Sequence, residues 1–330
     1  MDLEILEDIL KTEPKFRLVQ AKEAVFKQLV NNWKDAKNLP KILQEKLNLF
    51  CPLDISAKLF QSQNNNSLKA LITLKDSLKI ETVLMQHKDG RNTVCLSCQV
   101  GCPIGCLFCA TGKLGFKRNL EVWEIIEQAL FWQRYLKKTS QRVTNVVFMG
   151  MGEPLLNYDN VLKAIHILND QKGFNIGARH ISISTVGIVE EIKKLSQEPL
   201  QVNLAISLHA PTNELRSKLI PVNKKYPIET IFKTVEDYVK KTKRKVMFEY
   251  IMINNVNDSE KEAWKLVELM KNNYLYMVNL IKYNKTSMFR PSSSLTIQKF
   301  KNILEGQKIN VTERYRFGQD IKAACGQLAG

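Results

Sequence analysis

The chain has 330 residues, of which 44% are hydrophobic and 25% are charged, a composition that is typical of a globular protein and excludes a largely disordered one. No apolar run approaches the length of a membrane span, and the acidic N-terminus MDLEILEDIL does not resemble a signal peptide, so we expect a cytoplasmic protein with no membrane partner. The 49 Lys+Arg against 33 Asp+Glu give a formal net charge of +16, which favours a nucleic-acid partner. A lysine-rich composition without such a partner would also account for much of this excess.

The N-terminal part of the chain is predicted to form a small accessory domain. Through residues 1–50, apolar side chains recur at spacings of three and four residues, which predicts helices. The apolar segments 69–74 and 78–85 then flank a Lys-Asp-Ser turn, which predicts an antiparallel hairpin. We therefore expect a mainly helical accessory domain over residues 1–90, followed by a catalytic domain over residues 91–330.

Apolar, strand-like segments alternate with amphipathic helical stretches through the rest of the chain. The segments are 93–98, 143–150, 180–185, 202–209, 245–253 and 278–284. This alternation predicts an α/β fold with a parallel sheet, because each crossover helix returns the chain to the same edge. A doubly wound sheet and a partial barrel both fit. Polar and thiol residues at the ends of most segments favour the partial barrel, whose functional groups converge at the carboxyl ends of its strands.

Four of the seven cysteines lie in the stretch CQVGCPIGCLFC after the first predicted strand. Three of them, Cys102, Cys106 and Cys109, have the spacing C-x3-C-x2-C. Three ligands do not complete a structural zinc site, and no histidine lies nearby in the sequence. Three thiolates can hold a [4Fe–4S] cluster and leave one iron open. A zinc or redox thiol site is the alternative.

This spacing, with Phe108 before the last cysteine, resembles the signature of the radical S-adenosylmethionine (SAM) superfamily. The resemblance implies a partial (β/α)6 barrel and one [4Fe–4S] cluster held by the three cysteines. In this superfamily the amino and carboxylate groups of SAM chelate the open iron, and an electron from the cluster cleaves SAM to a 5′-deoxyadenosyl radical. The segment FMGMGEP follows the second predicted strand, where the superfamily holds the amino group of SAM, which implies contacts from Gly152 and Glu153.

Longer segments within residues 81–330 are similar to the RlmN/Cfr family of adenine methyltransferases. They are CLSCQVGCPIGCLFCATGKLGFKRNL, FMGMGEPLLNYDNV, ISLHAPTNELRSKLIPVNKKYPIE and DIKAACGQLAG. The resemblance implies methylation of adenine C2 in 23S rRNA and in tRNA by a monomer that uses two SAM molecules per turnover and a reducing electron donor such as flavodoxin. The alternatives are the C8 methylation of the Cfr branch, which confers antibiotic resistance, and a non-catalytic zinc/thiol RNA-binding protein. Gly152-Glu153-Pro154 and Glu249 favour the C2 branch, whereas the segments RSKLIPVN and NLIKYN favour the C8 branch.

The family resemblance also assigns catalytic roles to residues outside the three-cysteine motif. Adenine C2 is electron-poor and does not attack the methyl group of SAM, so the family transfers the methyl group through a radical. Cys325 matches the cysteine that is first methylated and then carries the methylene radical to the base. Cys95 matches the thiol that releases the product by a transient disulfide bond with that cysteine. Glu81 matches a glutamate proposed as the proton acceptor.

The remaining functional candidates lie near the ends of predicted strands. The resemblance implies that further SAM contacts come from Ser184, Ser207, Leu208, His209 and Asn284. Candidate phosphate contacts are Lys113, Lys117, Arg118, Lys224 and Lys225. For any one of these cations, a solvated charged surface is the alternative. The N-terminal helices are a further candidate for RNA docking, and neither Cys98 nor Cys51 has an assigned role.

Overall fold

The computed structural model describes residues 3–64, 66–271, 273–286 and 289–329. Its α-helices are α1 (Leu3–Leu10), α2 (Phe16–Phe26), α3 (Lys41–Phe50), α4 (Ala110–Lys113), α5 (Val122–Lys137), α6 (Tyr158–Asn169), α7 (Val189–Leu195), α8 (Asn213–Leu219), α9 (Ile228–Thr242), α10 (Glu260–Met270) and α11 (Ser294–Gly306). Its strands are β1 (Ala57–Gln61), β2 (Ser67–Thr73), β3 (Lys79–Gln86), β4 (Asn92–Cys95), β5 (Gln99–Gly101), β6 (Phe116–Asn119), β7 (Asn145–Phe148), β8 (Ile181–Thr185), β9 (Asn203–Ser207), β10 (Val246–Met252), β11 (Tyr276–Lys282) and β12 (Asn310–Glu313).

The central element is one sheet with the strand order β1-β2-β3-β4-β7-β8-β9-β10-β11-β12. Strands β1 to β4 pair antiparallel, whereas all neighbouring strands from β4 to β12 run parallel. Helices cross over between the successive parallel strands, as parallel pairing requires. Within the described residues, β1 and β12 each pair on one side only, so the sheet is an open, partial barrel.

The predicted α/β class and parallel sheet are confirmed, and each of the six predicted segments overlaps a strand of this sheet. The predicted hairpin is also confirmed as β2 and β3. The sheet contains two edge strands that were not predicted, β1 and β12. Both expose most of their side chains, so their sequences lack the apolar pattern that identifies buried strands.

The predicted N-terminal helices are confirmed as α1, α2 and α3. They pack around Trp33, which is fully buried and donates a hydrogen bond from Nε1 to the carbonyl of Cys51 at 2.7 Å. Arg134 of α5 donates hydrogen bonds to the carbonyls of Val30 and Leu53 and so links this layer to the barrel. The hairpin β2–β3 pairs directly with β4, so one hydrogen-bonded sheet crosses the predicted boundary at residue 90. The division of the chain there stays a proposal.

After β12, residues 314–329 form a C-terminal tail without regular secondary structure. Asp320 in this tail accepts hydrogen bonds from the hydroxyl of Ser62 at 2.7 Å and from the backbone N–H of Gln63 at 2.8 Å. Those two residues lie in the connection between β1 and β2. The tail therefore crosses from one edge of the open sheet to the other. None of the described helices is long and apolar enough to span a membrane.

Candidate active site

Two adjoining cavities lie at the carboxyl ends of the parallel strands. The larger, of about 150 Å³, is here called the barrel cavity, and the smaller, of about 90 Å³, the tail cavity. The C-terminal tail contributes to the walls of both. The residues that line both cavities are Cys109, Met149, Gly150, Ile281, Arg314, Cys325 and Gly326.

The loop between β5 and α4 carries Cys102, Cys106 and Cys109, and all three line the barrel cavity. Gly101, with φ of +75°, allows the close approach that forms this loop, because a Cβ there would lie 1.7 Å from the carbonyl oxygen of Gly115. Burial raises the pKa of Cys102 to about 12 and the pKa of Cys106 well above its usual value. Such thiols are deprotonated near neutral pH only when a cation stabilises the thiolate, as a bound metal centre does.

Gly152 and Glu153, after β7, line the same cavity. The two carboxylate oxygens of Glu153 accept hydrogen bonds from the backbone N–H groups of Leu155 at 3.1 Å and of Val186 at 2.9 Å. Burial raises the pKa of Glu153 to about 7. A cationic amine in the cavity would favour the charged carboxylate.

Ser184, Ser207 and His209 also line the barrel cavity, near the ends of β8 and β9. The two serine hydroxyl oxygens lie 3.2 Å apart. Burial lowers the pKa of His209 to about 3, and the charge of Arg216 acts in the same direction. Because Nδ1 accepts a hydrogen bond from the backbone N–H of Ile251 at 3.1 Å, the neutral ring carries its proton on Nε2. The ring therefore offers a donor to a ligand.

Leu208 and Asn284, both predicted SAM contacts, lie outside the lining of the barrel cavity. Leu208 is fully buried, and its backbone N–H donates to the carbonyl of Glu249 at 3.1 Å. Asn284 lines the tail cavity, donates from Nδ2 to the carbonyl of Cys325 at 3.2 Å and accepts from Gln319 at 2.7 Å. Asn284 thus binds the tail in this structure, and its contact with SAM stays a prediction.

Cys95 and Cys325 both line the tail cavity, although 230 residues separate them in the sequence. Each is a free thiol, so the predicted transient disulfide bond between them is not formed in this structure. Burial raises the pKa of Cys95 to about 12, a charge on Cys325 acts in the same direction, and Arg314 opposes both.

Arg314 is a partly buried cation, with 21% of its side chain exposed, that no sequence pattern pointed to, because a lone arginine after an edge strand has no diagnostic spacing. It lines both cavities, and its guanidinium lies 3.7 Å from a carboxylate oxygen of Glu249. The charge of Cys325 is the largest influence that raises the pKa of Arg314. This guanidinium can therefore stabilise negative charge where the two cavities meet.

Glu81 lies in β3 and lines neither cavity. One carboxylate oxygen forms a 2.8 Å ion pair with Lys69, and the other accepts a 2.8 Å hydrogen bond from the backbone N–H of Ala329. Only 7% of the Glu81 side chain is exposed. Its role as a proton acceptor stays a prediction. In this structure its carboxylate is hydrogen-bonded to the C-terminal tail.

Arg216 of α8 is a second functional candidate that the sequence did not reveal, because a single arginine on an amphipathic helix resembles a solvent-facing residue. Its side chain is fully buried and donates to backbone carbonyls at the ends of two strands. The acceptors are Val186 at 2.6 Å, Ser207 at 3.1 Å and Leu208 at 3.1 Å, with further bonds to Asn223 and Tyr226. This guanidinium holds together two loops that line the barrel cavity.

Replacing Arg216 with lysine is expected to lower the free energy of unfolding by about 3 kcal/mol, because an ammonium cannot reach all five acceptors and leaves buried carbonyls unpaired. The measurement is chemical denaturation of the apoprotein. Arg179→Lys is the matched control, since Arg179 is exposed and its guanidinium donates to the side chain of Gln201. A change no larger for Arg216→Lys than for Arg179→Lys would contradict this account.

The other candidates divide into buried cysteines and basic residues. Cys98 is buried beside the site without lining either cavity. Cys51 is buried at the C-terminal end of α3. Arg118 forms ion pairs with Glu124 and Asp76, each at 2.7 Å, so its charge is already neutralised within the protein. The candidate phosphate contacts that are exposed are Lys113, Lys117, Lys224 and Lys225.

Comparison with known proteins identifies the family. The radical SAM superfamily model matches residues 96–267. The chain is 49% identical to the probable dual-specificity RNA methyltransferase RlmN of Dictyoglomus thermophilum, over 99% of this chain and 94% of that protein. This chain belongs to the RlmN family of radical SAM RNA methyltransferases.

Further RlmN relatives and a solved structure agree with this membership. The protein of the same name from Streptococcus suis is 44% identical, over 96% of this chain and 87% of that protein. The crystal structure of a radical SAM methyltransferase from Sphaerobacter thermophilus is 41% identical, with a TM-score of 0.95 over 99% of this chain and 97% of that chain. The predicted family and the radical SAM fold are therefore confirmed.

Membership of the RlmN family implies a [4Fe–4S] cluster and SAM. The residues present fit both groups. Three cysteines face one cavity, and a glycine-rich turn, a buried carboxylate and two hydroxyls lie beside them. No three His, Cys, Asp or Glu side chains among the described residues converge tightly enough to hold one metal ion. A cluster does not require such convergence, because each thiolate binds a different iron.

Proposed function

We propose that this chain methylates C2 of an adenine in 23S rRNA, and of an adenine in tRNA, through a methylated Cys325. One observation carries the proposal. Cys325 lines both cavities, so it can meet a methyl donor held beside Cys102, Cys106 and Cys109 on one side and Cys95 on the other. The relatives support the RNA substrates, since they are named dual-specificity RNA methyltransferases.

The residues of the two cavities would have separate roles. Cys102, Cys106 and Cys109 would bind the cluster, while Gly152 and Glu153 would hold the amino group of SAM. The cluster and SAM, when bound, supply the electron and the 5′-deoxyadenosyl radical. The hydroxyls of Ser184 and Ser207 and the ring of His209 would orient SAM, and Asn284 and Leu208 would act from the edges of this site.

The two thiols would then have separate roles: Cys325 would transfer the methyl group, and Cys95 would release the methylated RNA. Cys325 accepts a methyl group from a first SAM molecule and, after loss of one hydrogen atom to the radical from a second, bonds through its methylene carbon to adenine C2. The base radical that results would return one electron to the cluster and lose the proton from C2, which restores the aromatic ring. The sulfur of Cys95 would then attack the sulfur of Cys325, the S–C bond would break, and its electrons and a proton would complete the new methyl group. Cellular thiols reduce the resulting disulfide bond.

The C2 position is preferred to C8 for two reasons. The curated relatives at 44–49% identity over at least 95% of this chain carry the RlmN name. The residues that favour this branch in the sequence, Glu153 and Glu249, both line the barrel cavity. A buried carboxylate at each position belongs to the site rather than to the surface.

Methyl-labelled SAM with 23S rRNA or tRNA, under reducing and anaerobic conditions, tests the proposed function. The expected product is labelled 2-methyladenosine, identified by mass analysis of the nucleosides. Labelled 8-methyladenosine would instead establish the Cfr-type activity. Purified protein that holds zinc without iron or sulfide, and that transfers no label, would support the zinc/thiol RNA-binding alternative.

The partners and setting follow from this activity. We propose one cluster per chain, two SAM molecules per turnover, a monomer, and a reducing electron donor such as flavodoxin. A cytoplasmic location is proposed because the RNA substrates are found there. The exposed lysines Lys113, Lys117, Lys224 and Lys225 and the N-terminal helices would contact RNA phosphates, which predicts affinity that falls as salt rises.

A further inference from the structure

The C-terminal tail is held in place by contacts rather than by secondary structure. Over residues 314–329 it forms no helix or strand, yet it carries Cys325 to the junction of the two cavities. The tail spans the gap between β12 and the connection from β1 to β2 at the far edge of the sheet. The position of the Cys325 sulfur therefore depends on where the tail is attached.

Attachments follow Cys325 at nearly every residue. The carbonyl of Gly326 accepts from the N–H of Ala110 at 2.7 Å, and the carbonyl of Leu328 accepts from the hydroxyl of Thr111 at 2.7 Å. Ala110 and Thr111 begin α4, directly after the predicted cluster ligand Cys109. The tail is thus bound to the same loop that would carry the cluster.

Glu81 makes the last of these attachments. Its carboxylate accepts the N–H of Ala329 at 2.8 Å, and Lys69 neutralises it from the neighbouring strand β2 at 2.8 Å. Lys69 also donates to the carbonyl of Lys322 at 3.4 Å, so the pair contacts the tail on both sides of Cys325. Both charged side chains are more than 90% buried.

We propose that Glu81, together with Lys69, is a positioning residue for Cys325, holding the tail so that its sulfur reaches both cavities. This inference rests on the proposed function, because it concerns the methyl carrier. It differs from the proton-acceptor role, since both oxygens of Glu81 are engaged and the carboxylate lines neither cavity. A proton acceptor is needed only after RNA has bound, whereas a tail anchor is needed already for the methylation of Cys325.

Ala329→Pro separates these two roles. It removes the N–H that Glu81 binds and leaves the carboxylate of Glu81 intact, and Ala329 is exposed, so a proline ring has room. Ala329→Ser retains the N–H and is the matched control. The measurement is the rate at which labelled methyl from SAM appears on Cys325 without RNA. We expect a rate about tenfold lower for Ala329→Pro, the size of losing one hydrogen bond to a charged group, and an unchanged rate for Ala329→Ser.

A double variant removes the anchor without leaving a single unpaired charge in the protein interior. Glu81→Leu combined with Lys69→Met removes both charges, and we expect it to slow the methylation of Cys325 about as much as Ala329→Pro does. Adding Ala329→Pro to this pair should produce little further loss, because all the changes remove the same attachment. Wild-type methylation of Cys325 in Ala329→Pro, or a defect of the pair that appears only once RNA is added, would overturn the anchor and favour the proton acceptor.

Alkylation by iodoacetamide distinguishes this inference from the proposed function. Faster alkylation of Cys325 in Ala329→Pro than in Ala329→Ser supports an anchored tail, and equal rates overturn it. This readout needs neither SAM nor RNA. Absence of any methyl group on wild-type Cys325 would refute the proposed function alone, and the alkylation rates would still decide whether Glu81 holds the tail.

Discussion

Replacing Cys325 with alanine is expected to reduce methylation of RNA by more than about a thousandfold, because the methyl group then has no carrier between SAM and the base. The sulfur lies where the two cavities meet, and no other described cysteine except Cys109, a predicted cluster ligand, lines both. No neighbouring thiol is therefore placed to replace it. The measurement is transfer of labelled methyl to 23S rRNA or tRNA over many turnovers.

Cys51→Ala is the matched control for this variant. Cys51 is also buried, but it lies at the C-terminal end of α3 and lines neither cavity. The loss of its thiol should therefore leave methyl transfer near the wild-type level. The Cys325→Ala protein should still bind iron and SAM, since the predicted ligands are unchanged. Substantial RNA methylation by Cys325→Ala would show that the methyl group reaches adenine by another route.

Replacing Cys95 with alanine is expected to stop the reaction after one turnover and to trap RNA on the protein. Cys95 shares the tail cavity with Cys325, and without its sulfur nothing displaces the bond between Cys325 and the base. The trapped species should have the combined mass of protein and RNA and should resist thiol reductants, because its link is a thioether. Denaturing electrophoresis and mass analysis after nuclease digestion measure it.

Cys98→Ala provides the comparison for Cys95→Ala, since Cys98 is a buried neighbour that lines neither cavity, and it should turn over normally. Free methylated RNA from Cys95→Ala at the wild-type yield would refute the release role.

The pKa of Cys95 makes release in the wild type depend on pH. Burial holds this pKa at about 12, so the thiolate fraction is small at neutral pH and rises about tenfold per pH unit below that value. Single-turnover release should accelerate with pH until another step limits it. A release rate that is constant from neutral to alkaline pH, with release shown to be the slow step, would contradict this assignment.

Local sequence patterns were sufficient for much of the fold. The alternation of apolar strands and amphipathic helices predicted a parallel sheet, and the polar residues at strand ends favoured a partial barrel, because both signals repeat over a few residues. The edge strands β1 and β12 were not predicted, because exposed strands need no apolar pattern. The C-x3-C-x2-C spacing likewise placed three thiols on one loop, because neighbours in the chain stay close in space.

Contacts between distant parts of the chain were not predictable in the same way. Arg216 and Arg314 have no diagnostic spacing. The importance of Arg216 follows from its burial among backbone carbonyls, and that of Arg314 from its position between the two cavities beside Cys325. Asn284 was expected beside SAM, and in the structure it binds the carbonyl of Cys325. Glu81 was predicted to be the proton acceptor, and in the structure its carboxylate binds Lys69 and the backbone N–H of Ala329.

The sequence by itself determined the family chemistry of this protein: a three-thiol loop, a glycine-rich turn after the next strand, and a cysteine near the C-terminus. Only the tertiary structure decided how that last cysteine reaches the others. Cys325 lies on a tail without secondary structure, so no periodicity encodes its position. Its location depends on hydrogen bonds to α4 and on a buried ion pair in the hairpin, which exist only once residues from both ends of the chain have folded together.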